Sequence, residues 1–328
     1  MHSSIWRRLA PAVSLFSAVA GAAGAAEQTA SYPTRPVRFI IAQTTGTSVD
    51  TLSRILATKM GELMGQQFVA DNRSGAGGTI GAEIASQAAP DGYTLLVSST
   101  GMQVISPQIY RKLNYDPINA FEAIGMFAVT QNIVVVNPAF PVKTLKDLIA
   151  LAKASPGKYN MANAGAGFQS HLAGVLFTHM AGIDVVHVPY KGGASLVAVM
   201  GNEAQVTIAP APALTGHVRS GRLRAIATAG EKRSPLTPDL PTVIESGVPG
   251  YVSTGWAGLM APKRTSKPIL DKVHATMAKA IADPQTREFM ERAGGEPLSS
   301  TPQEMLRVIK EDYARMGQAI KLAKLKVE

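Results

Sequence analysis

Three segments of this chain pass through a turn rich in glycine and hydroxyl residues into what their pattern predicts as the start of a helix. They are residues 43–50 (QTTGTSVD), 163–171 (NAGAGFQSH) and 189–195 (PYKGGAS). A helix start carries unpaired backbone N–H groups and roughly half a positive charge, so several such openings facing one cleft hold an anion with few cationic side chains. A carboxylate fits this description.

The elements that must position these turns alternate between strands and helices. Short apolar runs predict strands at 37–41, 94–97, 133–136, 185–188, 205–208 and 224–227. Apolar residues at helical spacing predict helices at 52–64, 145–152 and 172–180, and longer ones at 267–282, 284–293 and 302–323. This alternation indicates an α/β fold with a mainly parallel sheet. Ligands of such sheets bind beyond the carboxyl ends of the strands, where all three turns are predicted to lie.

The first thirty residues have the pattern of a secretory signal. Arg7 and Arg8 form a basic start, residues 9–20 an apolar stretch, and residues 23–26 (AGAA) a run of small residues suited to signal peptidase. We expect residues 1–26 to be the signal peptide, cleaved near Ala25 or Ala26, and the mature protein to be exported and soluble. The alternative is a membrane anchor, but no later segment approaches the roughly 18 apolar residues that spanning demands.

Composition excludes several classes of protein. The chain has no cysteine, which removes disulfides, thiolate nucleophiles and sulfur-ligated metals. The formal net charge of +9 favours anionic partners, yet the cations are spread out and not interleaved with stacking aromatics, so we expect no nucleic-acid binding. The chain has 328 residues, 46% of them hydrophobic, which is enough to bury a large core. Chains of this length are commonly divided into two domains.

A set of short motifs carries a family resemblance. In chain order they are residues 32–38 (YPTRPVR), 71–81 (DNRSGAGGTIG), 90–95 (PDGYTL), 113–117 (LNYDP), 170–173 (SHLA), 187–192 (HVPYKG) and 240–243 (LPTV). Together they resemble the Bug family, the extracytoplasmic solute receptors of tripartite tricarboxylate transporters. The resemblance runs from about residue 32 to the end of the chain.

The resemblance implies a fold and a function. The fold is α/β, a two-lobed type II periplasmic binding protein, each lobe a mixed, mainly parallel sheet flanked by helices. Lobe 1 comprises residues 32–130 plus 254–328, and lobe 2 residues 131–253. The implied function is capture of a small organic carboxylate between the lobes in the periplasm and its delivery to the membrane subunits of the transporter. We expect a monomer without catalytic activity, cofactor or metal.

The family's ligand contacts map by position onto four loops. The corresponding residues are Thr44, Thr45, Thr47, Ser48 and Asp50; Ser99, Thr100 and Met102; Asn163, Gly165, Gly167, Phe168, Gln169, Ser170 and His171; and Tyr190, Lys191 and Gly192. In this mapping, hydroxyl groups and the N–H groups beside the glycines bind the carboxylate as charge-neutral donors.

Two departures from the family pattern bear on the ligand. Thr44-Thr45-Gly46 stands where the family usually has Pro-Gly-Gly. Ala209-Pro210 stands after the 205–208 strand, where many relatives carry an acidic residue able to receive an amino group. We therefore expect a carboxylate without an ammonium group, a di- or tricarboxylate or an aromatic acid, with Phe168 and Met102 in apolar contact with it.

Several residues have competing interpretations. A carboxylate at Asp50 repels an anionic ligand, so a helix-opening cap or water positioning is favoured over direct contact. The Tyr190 side chain either donates its hydroxyl to the ligand or only packs against its neighbours, and the sequence favours neither. Lys191 either contacts the ligand with its charge or faces solvent. His171 is favoured as a structural hydrogen-bond partner, and its spacing to His179 and His187 fits no metal motif. Residues 72–81 lack the GxGxxG spacing of a dinucleotide loop and are read as a tight turn.

Two other functional classes share some of these features. An exported hydrolase using one of the serines is disfavoured, because no G-x-S-x-G elbow occurs and no serine has an evident His and Asp partner. A ligand sensor for a membrane signalling protein has the same binding chemistry as a transport receptor and differs only in its partner.

Overall fold

The computed structural model describes residues 31–110 and 112–325. The predicted signal peptide, residues 1–26, lies outside these ranges, so its cleavage near Ala25 or Ala26 stays a prediction. Within the described ranges, no helix combines the length and the hydropathy needed to cross a lipid bilayer.

Strands and helices alternate along most of the chain. The strands are β1 (Val37–Ile41), β2 (Phe68–Asn72), β3 (Thr94–Ser99), β4 (Phe121–Val136), β5 (Asn160–Asn163), β6 (Val186–Pro189), β7 (Val206–Pro210), β8 (Arg224–Thr228), β9 (Thr254–Pro262) and β10 (Glu296–Pro297). The helices are α1 (Ser48–Met64), α2 (Thr79–Ser86), α3 (Ser106–Ile109), α4 (Leu145–Ala154), α5 (Gln169–Ala181), α6 (Ala194–Met200), α7 (Ala211–Arg219), α8 (Lys267–Ala282), α9 (Pro284–Arg292) and α10 (Pro302–Leu322).

The predicted alternation is confirmed, and the bounds of β1 and α8 agree with the prediction. The apolar run at 133–136 marks only the end of the much longer β4. The sequence pattern does not predict β2, β5 or β9. In β9, glycines and alanines interrupt the run of typical strand formers, because the strand packs closely against neighbouring backbone and needs small residues there.

The strands form a mixed sheet in the order β2-β1-β3-β9-β4-β7-β5-β6, with β8 and β10 also paired to β4. Parallel pairs join β1 to β2 and β3, and β5 to β6 and β7. Every antiparallel pair includes β4 or β9. The predicted mixed sheet is confirmed, and its parallel pairs form two outer groups of strands that β4 and β9 connect.

Strand β4 belongs to both halves of the sheet. Residues 121–131 pair with β9, and residues 132–136 pair with β7 and β8. At the change of partner, the Asn132 N–H donates to the carbonyl oxygen of Ser253 at 3.4 Å, and its side-chain amide donates to Ser253 Oγ at 2.9 Å. Because Ser253 directly precedes β9, the two chain segments that cross between the halves are bonded to each other.

Apolar packing joins the helices to this sheet. Phe39, Phe127 and Met277 belong to a buried cluster between the sheet and helices α1 and α8. A second cluster runs through both halves and includes Leu176 of α5 and Ile320 of α10. The long helix α10 therefore packs against elements of both halves, and it limits how the halves are arranged around β4.

Gly81 in α2 packs closely against the residues that directly follow β1 and β2. A Cβ on Gly81 would lie 2.6 Å from the carbonyl oxygen of Arg73 and 2.9 Å from the Cβ of Ala42. We expect Gly81→Ala to lower the free energy of unfolding by about 1–3 kcal/mol, because the backbone has to move to accept the methyl group. Urea unfolding followed by circular dichroism measures the change.

Gly216 in α7 is the matched control, since a Cβ there would meet nothing within 4 Å. We expect Gly216→Ala to raise the free energy of unfolding by up to about 1 kcal/mol, because alanine is the better helix former. Equal effects of the two substitutions would contradict the close helix–strand approach at Gly81.

Candidate functional site

A cleft of about 480 Å³ lies beyond the carboxyl ends of β1 and β3, beside the β4 and β9 crossing. Its polar side chains are those of Gln43, Thr44, Thr47, Ser48, Ser74, Ser99, Thr100, Ser106, Tyr110, Thr130 and Gln169. Its apolar side chains are those of Ala42, Val49, Ile105, Ile109, Ala166, Phe168, Pro210 and Trp256. None of the described lining residues is Asp, Glu, Lys, Arg or His. An ion bound among them must interact with dipoles and hydroxyls.

The start of α1 forms one wall of the cleft. Thr47 is the N-cap residue: its hydroxyl oxygen accepts the N–H of Asp50 at 3.3 Å and its proton goes to the carbonyl oxygen of Thr44 at 3.0 Å. The N–H groups of Ser48 and Val49 precede the first intrahelical hydrogen bond, so helix geometry leaves them for a ligand or water. Both residues line the cleft, at the positive end of the helix dipole.

Asp50 orders the turn that leads into this helix. Its carboxylate accepts the N–H of Gly46 at 2.9 Å, the Nε of Arg54 at 2.9 Å and the Nδ2 of Asn72 at 2.8 Å. Asp50 is only 2% exposed and does not line the cleft. Asp50 thus orders the helix opening from the third position of the helix, while the N-cap itself is Thr47; water positioning by Asp50 stays a prediction.

The start of α5 lies across the cleft. Its N-cap residue is Phe168, whose side chain makes no capping bond, and the first backbone bond of the helix runs from the Leu172 N–H to the Phe168 carbonyl at 3.1 Å. The preceding N–H groups, those of Gln169 and Ser170 among them, are therefore left without intrahelical partners. Phe168, 59% exposed, and Gln169 line the cleft.

The two openings are built in the same way. In each, the third residue of the helix, Asp50 or His171, accepts the N–H of the residue four positions earlier, at 2.9 Å from Gly46 and 3.2 Å from Gly167. Gly46 has φ +84° and Gly167 φ +79°, a conformation that a side chain disfavours. Each helix thus supplies from its own first turn the acceptor that orders the loop in front of it.

His171 makes the structural hydrogen bond that the sequence predicted. Burial lowers the pKa of His171 below its ordinary value, and its ring meets His187 edge-on with centroids 5.9 Å apart. Burial, together with the neighbouring His171, lowers the pKa of His187 to about 4. Both rings are therefore neutral near pH 7. Within the described ranges, no group of three or more His, Asp or Glu side chains is arranged to hold a metal ion.

The end of β3 presents two hydroxyl groups. Thr100 Oγ1 accepts the N–H of Trp256 at 3.0 Å, and Ser99 Oγ accepts the Nε2 of Gln43 at 3.4 Å. Since both hydroxyls act as acceptors in these bonds, their protons are available to an acceptor in the cleft. Ser99 and Thr100 both line it.

Met102 does not lie where the prediction requires it. Its side chain is fully buried and packs on Gly78, where an added Cβ would lie 2.8 Å from the Met102 Cγ. The short π-helix Gly101–Ile105 directs this side chain into the core, so the predicted contact between Met102 and the ligand does not fit the structure. Ile109 and Trp256 line the cleft instead.

The third predicted opening does not reach the cleft. Tyr190, Lys191 and Gly192 are all absent from the lining, because β6 lies outside β5 in the sheet and its end is one strand further from β4. The turn supports its neighbour instead: the Tyr190 N–H donates to the Asn163 carbonyl at 2.9 Å and the Gly192 N–H to the Ala164 carbonyl at 3.2 Å. The described lining therefore includes two of the three predicted openings, and ligand contact by the residues of this turn stays a prediction.

Four other predicted residues lie near the cleft but not in its lining: Thr45, Asn163, Gly165 and Ser170. Thr45 is exposed. The Asn163 Oδ1 accepts the Gly165 N–H at 3.0 Å, and the Ser170 Oγ accepts the Ala164 N–H at 3.0 Å. Like His171, Asn163 and Ser170 shape the turn before α5, and direct contact of these residues with a ligand stays a prediction. The predicted residues that line the cleft are Thr44, Thr47, Ser48, Ser99, Thr100, Gly167, Phe168 and Gln169.

The sequence analysis missed part of the lining. Residues 74–78, which it read only as a tight turn, bring Ser74, Gly75, Gly77 and Gly78 to the cleft wall. The glycine-rich motif at 71–81 was a visible signal, but the sequence does not show that it lies beside the α1 opening. Thr130, Gly255 and Trp256, on the crossing strands, carried no sequence signal, since pairing of β4 with β9 decides which side chains face the cleft.

Fold and cleft together define a class of protein. Two α/β lobes are joined at β4 and β9, and a cleft with two helix openings lies beyond the carboxyl ends of the strands, as in a type II periplasmic binding protein. Residues 52–325 match the family described as tripartite tricarboxylate transporter family receptor. The chain belongs to this family.

Individual relatives agree with this assignment. The chain is 33% identical over 316 residues to the protein BugT of Bordetella pertussis, covering 96% of this chain and 97% of that one. The structure of R. palustris Rpa4515 with adipate superposes with a TM-score of 0.78 at 32% identity, over 90% of this chain and 99% of that one. The structure of MatC from Rhodopseudomonas palustris with bound malate gives a TM-score of 0.73 at 27% identity, over 88% and 100%.

The ionisation of Asp50 makes the stability of the α1 opening depend on pH. Burial raises the pKa of Asp50, but its hydrogen bonds and the charge of Arg54 outweigh this effect, and the pKa lies below its ordinary value. A lowered folded-state pKa means that the ionised carboxylate stabilises the fold. This contribution is complete above the ordinary pKa of about 3.9 and is lost as the pH falls through the folded-state pKa.

We expect Asp50→Asn to lower the free energy of unfolding at pH 6 by about 1–3 kcal/mol, because buried donors lose a charged acceptor. The difference from the wild type should begin to shrink below about pH 3.9, where the unfolded chain becomes protonated, and should be lost as the pH falls through the lower folded-state pKa. Denaturant unfolding of both proteins in steps from pH 6 down to the lowest pH at which the wild type stays folded measures this. A difference that stays constant with pH would show that the charge of Asp50 does not stabilise the loop.

Proposed function

We propose that this protein is a periplasmic solute receptor that captures a small carboxylate between its lobes and delivers it to the membrane subunits of a tripartite tricarboxylate transporter. The observation that carries the proposal is the pair of helix openings, α1 and α5, in a cleft whose described lining has no charged side chain. Their free N–H groups, with the hydroxyls of Ser99 and Thr100, bind an anion without a cation. We also propose that the signal peptide at residues 1–26 directs export of the protein and that the receptor is a monomer.

The lobes of this proposal are residues 32–130 plus 254–328 and residues 131–253. The exchange of strand partners along β4 supports these limits, since β9 pairs only up to Gln131 and β7 pairs from Asn132 onward. A ligand touching both helix openings binds the closed arrangement of the lobes more tightly than an open one. It shifts the population toward closure by that difference in affinity.

The ligand of this proposal has no ammonium group. Pro210, the last residue of β7, lies in the cleft lining, and Ala209-Pro210 stands where an acidic residue would receive such a group. The apolar wall formed by Ile105, Ile109 and Trp256 suits a hydrocarbon segment between or beside the carboxylates. The adipate in Rpa4515 and the malate in MatC are the natural first compounds to test.

Succinate and aspartate form a matched pair for this question, because they differ only by the ammonium group. Isothermal titration calorimetry should show succinate binding at least about tenfold more tightly than aspartate, since an unpaired buried ammonium loses its hydration without compensation. Adipate and malate are titrated alongside them. Tighter binding of aspartate than of succinate would refute the ligand class.

The role of the helix openings is testable by removing one N–H from each. Ser48→Pro and Gln169→Pro place proline at the first helical position, which helices favour. The preceding residues already have the extended conformation that proline requires, with φ −72° and ψ 161° at Thr47 and φ −69° and ψ 156° at Phe168. The folds should therefore tolerate both substitutions.

We expect each proline variant to bind the carboxylate about tenfold more weakly than its alanine counterpart, because a hydrogen bond to a charged group is worth about 1.5–3 kcal/mol. Ser48→Ala and Gln169→Ala are the controls, since they remove the side chain and keep the N–H. Calorimetry gives the dissociation constants and thermal unfolding checks stability. Proline and alanine variants of equal affinity would exclude the helix openings as the carboxylate site.

Receptor function also implies that the ligand is returned unchanged. The family is one of solute receptors, and we propose that this member does not catalyse a reaction. Incubation of the protein with adipate, malate and their esters, followed by mass spectrometry, tests this. Appearance of a product in proportion to protein concentration would support an exported enzyme instead.

A further inference from the structure

The turn before α1 has little apolar packing to order it. Thr44, Thr45 and Gly46 are exposed, and a Cβ on Gly46 would meet nothing within 4 Å. Residues 43–50 contain no proline. The conformation of this turn must therefore come from hydrogen bonds.

Asn72, the last residue of β2, supplies bonds to both ends of the turn. Its Nδ2 donates to the carbonyl oxygen of Gln43 at 3.1 Å and to the Oδ1 of Asp50 at 2.8 Å. Its Oδ1 accepts the Nη2 of Arg54 at 2.6 Å. Both amide protons and the oxygen of this side chain are in use, and only an amide has two protons and an acceptor in this arrangement.

We infer that Asn72 is a positioning residue for ligand capture, holding residues 43–50 so that the N–H groups of Ser48 and Val49 face the cleft. Asn72 itself does not line the cleft, and it acts through Gln43 and Asp50. This role rests on the proposed function, because a carboxylate is the ligand that those N–H groups would bind.

Asn72 raises the affinity for the carboxylate by ordering the turn at residues 43–50 before the ligand binds. Fixing the backbone of a turn costs conformational entropy, and a turn that is ordered before the ligand arrives does not lose this entropy on binding. The strand that carries Asn72 does not need its side chain. Asp71 is paired with Arg38 and Arg73, and the Arg73 N–H donates to the Ile41 carbonyl at 2.9 Å.

The test uses Asn72→Asp, which keeps the shape and the acceptor for Arg54 but removes both donors. Asn72→Ala is the second variant. The matched control is Asn137→Asp, because Asn137 likewise donates twice to backbone, at 2.8 Å to Val199 and 3.0 Å to Met200, and lies outside the cleft lining. We expect adipate to bind Asn72→Asp about tenfold more weakly than the wild type and Asn137→Asp within about twofold of it.

A double-mutant cycle separates positioning from general destabilisation. In the Ser48→Pro background, where one of the positioned N–H groups is already missing, Asn72→Asp should weaken adipate binding by less than about threefold. Effects that simply multiply, or equal losses in Asn72→Asp and Asn137→Asp, would overturn the positioning role.

Hydrogen exchange of the unliganded protein gives a readout that does not depend on the ligand. The amides of residues 44–48 should exchange faster in both Asn72 variants than in the wild type or in Asn137→Asp. If the wild type binds none of the carboxylates, the proposed function fails, and exchange alone decides about Asn72. Unchanged exchange at 44–48 would overturn its role whatever the ligand.

Discussion

The position of the cleft depends on one strand, β4, which hydrogen-bonds with both halves of the sheet. Side chains alternate across a strand, so Thr130 faces the cleft while its neighbour Gln131 faces away and accepts the hydroxyl of Thr228. One face of the strand therefore points to the cleft, and the other carries the buried hydrogen bond between Gln131 and Thr228. If one lobe rotates against the other, the backbone has to change conformation in β4 near Asn132 and at Ser253, before β9. Helix α10 packs against both lobes and limits this rotation.

Among the residues that the structure describes, the cleft lining has no charged side chain, so what this lining offers an anion is a set of oriented dipoles. The helix starts of α1 and α5 supply N–H groups whose orientation is set before the ligand arrives, since Asp50 and His171 each order the turn in front of their own helix. The charge of Asp50 is compensated by its hydrogen bonds and by Arg54, outside the lining. Neutral donors give an anion strong directional bonds without a permanent counter-ion, and such a site suits a receptor that must also release its ligand.

Part of the site was predictable from local sequence, and the rest depended on strand order and on the direction of one side chain. The turns at 43–50 and 163–171 were recognisable because glycine and hydroxyl residues before a helix have a local physical meaning, and the structural role of His171 followed from its place in the first turn. The turn at 189–195 has the same local pattern, yet β6 lies at the edge of its half of the sheet. The prediction for Met102 failed because the sequence does not show which way a short helix directs a side chain.

The sequence by itself determined the α/β class, most strands and long helices, the absence of cysteine chemistry and, through its ordered motifs, the family. These properties depend on residues near one another in the chain, where periodicity and capping act. Only the tertiary structure decided which openings share a cleft, that Thr130 and Trp256 line it, and that Asn72 joins Gln43 to Asp50. Those contacts depend on strand order and on the exchange of partners along β4, which are set by long-range pairing and by packing across the whole sheet.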